Sequence, residues 1–206
     1  MANLNSECKI AVWNVRGMCN KEMQKDVKKF ITDEKLSVCA VIETHIKEKQ
    51  IKKICDFVYG DWHWYSNMKD SNKGCRIIIG WNQAEINIMP LHSSHQTILC
   101  VIEIKDSGSK FFCSFVYAAN TGRERKVLWN TLKRHKSLVN DSSWVLMGDW
   151  NVSLNNEDHS EGGSCKTNDM IDFQDCLNHI EVEDLNSTGV HYTWVQSTGL
   201  NPKKGY

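Results

Sequence analysis

The sequence has few chain-breaking residues and no long apolar run. Only two of its 206 residues are prolines, and no low-complexity tract or internal repeat marks a linker. The longest aliphatic run, IIIGW, is far too short to cross a bilayer, and the first residues lack a basic region followed by an apolar one. We therefore expect one domain over residues 1–206, inside the cell in the cytoplasm or nucleus, without membrane contact.

An excess of one charge is also absent, because 25 Lys and Arg balance 25 Asp and Glu. No overall field attracts the chain to nucleic acid, so any such contact has to be local. The nine cysteines include no CxxC pair and no spacing of a structural zinc site, which is typical of reduced thiols in an intracellular protein. His92 and His95 have a spacing that zinc accepts, but without a third ligand such a pair is more often polar surface.

Strand and helix patterns alternate in the first third of the chain. Residues 9–17 and 37–43 are short apolar runs that predict buried strands. Residues 21–35 and 47–60 place apolar side chains at helical spacing on charged segments. A strand–helix–strand–helix order favours an α/β layer arrangement.

Five strand-like runs separated by polar or glycine turns fill the middle of the chain and predict antiparallel hairpins. They are DWHWYSN, GCRIIIGW, EINIM, TILCVIEI and KFFCSFVYA. The remaining segments predict helices over 121–140 and 167–180, and strands over 143–149 and 189–196. In the first of these helices we expect Val127, Leu128, Leu132 and Leu138 to form the apolar face. The order as a whole predicts an α/β sandwich with two central mixed sheets and helices outside.

Polar side chains follow three of the predicted strands, at the point where each strand ends. They are Asn14, Glu43, and the pair Asp149 and Asn151 in the stretch MGDWN. Ligand sites of α/β sheets lie beyond strand ends, where side chains from several strands can converge. Oxygen ligands without cysteine or histidine suit Mg²⁺. Glu43 is therefore a candidate ligand and Asp149 a candidate base for an attacking water, with the two asparagines as hydrogen-bonding partners.

Each of these features has a structural alternative. A Gly-Asp step at a strand end is often an ordinary turn, and an acid such as Glu43 often begins a helix. Tyr117, at the end of an aromatic strand, is by default a core residue with its hydroxyl at the surface. The individual motifs therefore leave the choice open.

The motifs taken in order resemble a known superfamily. WNVRG, VIETHI, NKGCRIIIGW, FVYAAN, MGDWNV and GVHYTW follow one another as in the endonuclease/exonuclease/phosphatase superfamily, and the stretch SEGG to YTW is similar to the endonuclease domain of plant LINE-type retrotransposons. The resemblance implies the DNase I-like fold, a four-layered α/β sandwich with two mixed, largely antiparallel sheets. It also implies hydrolysis of DNA phosphodiesters with Mg²⁺ or Mn²⁺, as a nick that primes a reverse transcriptase domain of the same element.

Site roles follow from the resemblance residue by residue. Asn14 and Glu43 correspond to the metal site, with Glu43 as the ligand. Tyr117 corresponds to the contact with the scissile phosphate, Asp149 to the residue that positions or activates the water, and Asn151 to a phosphate-binding residue. The family's terminal Ser-Asp-His motif has no counterpart here, so we expect a C-terminally truncated domain with its last strands missing, marginal stability, and weak or no activity.

A basic stretch beside Tyr117 is the local candidate for DNA contact. Arg123, Arg125 and Lys126 begin the predicted helix 121–140, although a helix this charged is also typical of a solvated face. Two other functions stay open: a phosphatase for inositol phosphates or related phosphoesters with the same fold, and a non-enzymatic nucleic-acid-binding remnant. The sequence does not indicate an oligomeric state.

Overall fold

A computed structural model describes residues 8–71, 74–154 and 166–185, and the chain forms two compact units that divide after Asn151. The strands of the first unit are β1 (Ile10–Asn14), β2 (Val38–Ile46), β3 (His63–Ser66), β4 (Cys75–Trp81), β5 (Ile86–Ser93), β6 (Thr97–Ile104), β7 (Lys110–Tyr117) and β8 (Trp144–Asp149). Its helices are α1 (Lys21–Asp33), α2 (Glu48–Tyr59), a 3₁₀ turn (Met68–Asp70) and α3 (Gly122–Val139). The second unit contributes α4 (Asn168–Ile180), which Thr167 caps by accepting a hydrogen bond from the Met170 amide.

The strands of the first unit form two four-stranded sheets, in the orders β1-β2-β4-β3 and β5-β6-β7-β8. The pairs β1–β2 and β7–β8 are parallel, and the other pairs are antiparallel. The predicted fold class, two mixed and largely antiparallel sheets with helices outside, is thereby confirmed. The predicted strand 189–196, which carries GVHYTW, lies outside the described residues.

Strand β2 shows why the apolar run SVCAVIE has no polar alternation. Its residues Val38, Ala40 and Ile42 face the second sheet, whereas Cys39 and Val41 face α1 and α2. A strand that is buried on both faces reads as a continuous apolar run. Helix α3 lies against the second sheet, where His135 contacts His92 of β5 and Trp144 of β8. This packing gives four layers: helices, sheet, sheet and helix.

Helix α3 buries a different face from the one predicted. Leu128 and Leu132 are buried as expected, but Val127 is 53% and Leu138 is 55% exposed. His135 is buried instead and bonds to His92 of β5. The apolar pattern of this strongly charged helix therefore predicted only part of its buried face. Across the described residues, no helix is both long and apolar enough to cross a bilayer.

Candidate functional site

Four strands bring the predicted site residues to one edge of the two sheets. Asn14, Tyr117 and Asp149 are the last residues of β1, β7 and β8. Tyr117 lies opposite Asp149 in the parallel pair β7–β8, and Asn14 lies opposite Ile42, the residue before Glu43, in the parallel pair β1–β2. Because β1 packs against β8 and β2 against β7, the carboxyl ends of both parallel pairs meet at this edge.

Asp149 is held by hydrogen bonds to both of its carboxylate oxygens. Asn14 Nδ2 donates to Oδ2 at 2.7 Å, and the backbone amide of Asn151 donates to Oδ1 at 2.9 Å. The Asn14 Oδ1 in turn accepts a 3.1 Å bond from the Arg16 amide, which fixes the orientation of the Asn14 side chain. A carboxylate offers about four acceptor positions, so Asp149 keeps capacity to accept from water.

Asn151 ties the turn after β8 to the loop after β7. Its φ of +49° is left-handed, a conformation that asparagine tolerates better than most residues. The Asn151 Nδ2 donates to the Ala118 carbonyl at 2.6 Å, and the Ala118 amide donates to the Asp149 carbonyl at 2.8 Å. Between them, Trp150 stacks on Trp129 of α3 with ring centroids 6.2 Å apart. The GDWN turn is thus fixed by backbone, side-chain and aromatic contacts together.

Glu43 projects from a bulge in β2. The register with β4 passes from Ile42–Ile77 to Ile46–Cys75, so three residues of β2 lie opposite the single residue Arg76. Glu43 has a φ of +58°, and a left-handed non-glycine residue costs about 1–3 kcal/mol. Such strain concentrates at functional sites, where the surrounding structure imposes it.

Tyr117 is half-buried among charges. Burial raises the pKa of its phenol, the nearby Glu43 and Asp149 carboxylates raise it further, and Arg76 opposes them. The phenol therefore stays protonated at neutral pH and can donate a hydrogen bond.

Glutamine 96 is a supporting residue that the sequence reasoning missed. Gln96 is 2% exposed, its carbonyl accepts from the Tyr117 amide at 2.9 Å, and its Oε1 accepts from the Ala119 amide at 2.7 Å. Its Nε2 donates to the Glu124 carbonyl at 3.1 Å. Gln96 thus clamps the segment between Tyr117 and α3, and only tertiary contacts reveal it.

The three basic residues beside Tyr117 differ in their surroundings. Arg123 and Lys126 are exposed. Arg125 is 3% exposed, and its Nη1 donates to the Ala119 carbonyl at 2.9 Å. This bond gives Arg125 a role in holding the loop after Tyr117.

The donor atoms at this edge fit a hard divalent cation. Glu43 supplies a carboxylate that is 25% exposed, and Asn14 and Asp149 supply further oxygens nearby. Mg²⁺ needs only one or two carboxylates because it keeps several waters. Among the described residues, no three His, Cys, Asp or Glu side chains form a cluster that could enclose a metal by themselves, so a cation here would depend on water and substrate oxygens.

Comparison with solved structures identifies the fold. The chain is similar to the endonuclease domain of TRAS1, a telomere-specific non-LTR retrotransposon, with a TM-score of 0.67 at 10% identity over 89% of this chain and 75% of that domain. It is similar to an AP endonuclease from Leishmania major, with a TM-score of 0.64 at 14% identity over 84% of this chain and 66% of that one. For a mannosyl-6-phosphatase from Bacteroides thetaiotaomicron the TM-score is 0.53 at 14% identity, over 81% and 70%.

These structures share a DNase I-like α/β fold, and the chain has that fold. No protein-family model matches the sequence, and comparison with curated proteins gives no significant match. At 10–15% identity the structural similarity establishes the fold alone.

Proposed function

We propose that this chain is a Mg²⁺-dependent phosphodiesterase that nicks DNA, of the retroelement endonuclease type. The observation that supports it best is the Asp149 carboxylate, held on both oxygens at the strand ends, beside Tyr117 and Glu43. The solved structures with this fold include nucleases and a phosphatase, which favours phosphoester hydrolysis as the general reaction.

In the proposed reaction, Asp149 accepts a proton from a water that attacks phosphorus in line. The water oxygen forms the new P–O bond, the bond to the 3′ oxygen breaks, and the 3′ oxygen takes a proton from solvent. Tyr117 donates a hydrogen bond to a phosphate oxygen as negative charge develops there. Asn14 keeps the Asp149 carboxylate oriented, and Asn151 shapes the phosphate site from the neighbouring turn.

Glu43 would hold the metal ion, with Asn14 beside it. Bound there, Mg²⁺ or Mn²⁺ would supply electrostatic stabilisation of the phosphate charge. The bulge that gives Glu43 its left-handed conformation points to a position kept for function at a cost in stability.

DNA is the proposed partner. The similarity to a retrotransposon endonuclease and to an AP endonuclease supports a nucleic-acid substrate, and the exposed Arg123 and Lys126 at the start of α3 offer phosphate contacts next to Tyr117. A reverse transcriptase domain of the same element would use the 3′ hydroxyl that the nick exposes.

A phosphatase acting on a small phosphoester is the second candidate. The similarity to a mannosyl-6-phosphatase supports it, and inositol phosphates belong to the same class of substrate. The same carboxylates would serve, because one fold supports several substrates.

Nicking of supercoiled plasmid by the purified chain with Mg²⁺ or Mn²⁺ tests the proposal. We expect loss of nicking in Asp149→Asn and Glu43→Gln, and wild-type nicking in Asp141→Asn, which changes an acid at the surface after α3. A parallel assay of phosphate release from inositol phosphates and sugar phosphates separates the phosphatase. Salt-dependent DNA binding by a folded chain without nicking would favour a non-enzymatic binding protein.

A further inference from the structure

Arg76 lies at the candidate site, although it does not follow the carboxyl end of a strand as the predicted site residues do. It is the β4 residue that faces the three-residue bulge of β2. Its backbone is fixed from behind: the fully buried Asn67 accepts bonds from the Arg76 amide at 3.0 Å and from the Ile77 amide at 2.9 Å through Oδ1. The Asn67 Nδ2 donates to the Ser94 carbonyl at 2.9 Å. The start of β4 is therefore a rigid base for the arginine.

The guanidinium of Arg76 is directed to the bulge. Arg76 Nη1 lies 2.5 Å from Nδ1 and 3.1 Å from Nε2 of His45, and His45 Nε2 lies 3.5 Å from Glu43 Oε1. Because arginine can only donate, the His45 ring is the acceptor in this contact. His45, with a φ of +53°, is the second left-handed residue of the bulge. Both strained residues thus lie in one chain of contacts with Arg76.

The charge of Arg76 also reaches the phenol at the centre of the site. It lowers the pKa of Tyr117, against the opposite effect of Glu43 and Asp149. Two carboxylates close together repel a phosphodiester anion, so a substrate phosphate at this edge needs a nearby cation. Arg76 is a cation close enough to act on the Tyr117 phenol, and its planar fork matches two phosphate oxygens.

We propose that Arg76 binds the substrate phosphate from the β4 side, with His45 orienting its guanidinium. The inference rests on the proposed function in one respect, since it takes the Tyr117–Asp149 edge to be the phosphate site. It assigns the anion-binding group of that site to a residue at the start of β4, and not to one of the carboxyl ends of the strands. A guanidinium held by one nitrogen at His45 keeps its other nitrogens for the phosphate.

The test compares wild type with Arg76→Gln, Arg76→Lys and the control Arg134→Gln, an exposed arginine on α3 that bonds Thr131. Binding of a short fluorescent DNA duplex is measured by anisotropy in Ca²⁺ over a range of salt concentrations, and nicking is measured in Mg²⁺. We expect Arg76→Gln to weaken binding about tenfold and to lower the log–log salt slope by about 1. Lysine should restore part of the affinity, because it keeps the charge but not the fork.

The readouts separate this inference from the proposed function. Nicking by wild type with an unchanged Arg76→Gln variant would overturn the role of Arg76 and leave the nuclease intact. Absence of nicking in wild type would remove the proposed function, and the binding assay would then decide on Arg76 alone. The proposed role of Arg76 would be overturned if Arg76→Gln and wild type had equal affinity and equal salt slope, or if wild type did not bind DNA. An alkaline titration of tyrosine absorbance adds an independent readout, because Arg76→Gln should raise the pKa of Tyr117.

Discussion

The side chain of Asn14 donates a 2.7 Å hydrogen bond to the carboxylate of Asp149, across 135 residues of sequence. This bond joins the end of the first strand of one sheet to the end of the last strand of the other. The two sheets are therefore linked directly at the edge where the candidate site lies. A neutral amide in this position orients the carboxylate without neutralising it, which a base for water activation requires.

Replacement of Asn14 should therefore impair catalysis through Asp149. We expect Asn14→Ala to lower the nicking rate about 10–100-fold, because Asp149 loses the donor to Oδ2. Asn14→Asp should cost more, since it places a second carboxylate in contact with the first. Single-turnover plasmid nicking measures both variants. Asn87→Ala, which removes an exposed amide bonded to Glu103, is the control, and equal rates for it and Asn14→Ala would contradict the prediction.

Gln96 should act as a positioning residue. Gln96→Ala removes the acceptor for the Ala119 amide and the donor to the Glu124 carbonyl, so the segment after Tyr117 loses its clamp. We expect kcat for nicking to fall about tenfold with KM nearly unchanged, because the side chain of Gln96 bonds to backbone groups of its own chain. Gln96→Glu keeps the acceptor and should recover part of kcat.

The control for this prediction is Gln83→Ala, whose side chain donates to the Asp61 carbonyl in a turn elsewhere. It tests whether loss of a side chain–backbone bond lowers kcat in general. A fall in thermal stability without a fall in kcat for Gln96→Ala would give Gln96 a merely structural role.

The sequence predicted that residues at the ends of several strands would converge, and it did so for a physical reason. Asn14, Tyr117 and Asp149 each follow an apolar run, and runs that end at a common sheet edge bring their last residues together. The resemblance in motif order added the choice of fold. Strand ends and motif order are both patterns of the sequence itself, so the residues that end β1, β7 and β8 could be predicted without the structure.

The contributions of Arg76, His45 and Gln96 could not be read in this way. A bulge is a property of two paired strands, and the sequence of β2 alone does not show that three of its residues face one residue of β4. Burial is hidden from the sequence for the same reason: Arg125 belongs to a basic stretch, but it is only 3% exposed and donates to the Ala119 carbonyl. Tertiary contacts decide such cases, and charge patterns do not.

Gly148, the glycine of GDWN, has no room for a side chain and also has a backbone conformation that favours glycine. Gly148 has a φ of +146°, and a Cβ there would lie 1.9 Å from the carbonyl oxygen of Val116, its partner in β7. We expect Gly148→Ala to lower the free energy of unfolding by about 3 kcal/mol or more, through strain and overpacking. Gly108→Ala, at φ +67° with no atom within 4 Å, should cost only about 1 kcal/mol. Urea unfolding of both variants measures the difference, and similar values would contradict the close approach.

The buried His135 predicts an acid dependence of stability that is separate from catalysis. Burial, together with the neighbouring His92 and Arg134, lowers the pKa of His135 from 6.5 to about 4, and burial is the largest of these causes. Between these two pH values the unfolded chain binds a proton that the folded chain does not. The stabilisation is therefore complete above pH 6.5 and declines as the pH falls toward about 4. The loss amounts to about 3 kcal/mol at most, and less if water reaches the ring.

Urea unfolding at several pH values between 4 and 7, for wild type and His135→Gln, checks this expectation. The variant cannot take up the proton, so its free energy of unfolding should change less with pH than that of wild type, even though the substitution itself lowers stability at pH 7. His63→Gln removes an exposed histidine of β3 and should keep the wild-type slope. Parallel pH profiles for wild type and His135→Gln would assign the acid sensitivity to carboxylates or to other histidines instead, because these groups also gain protons in this range.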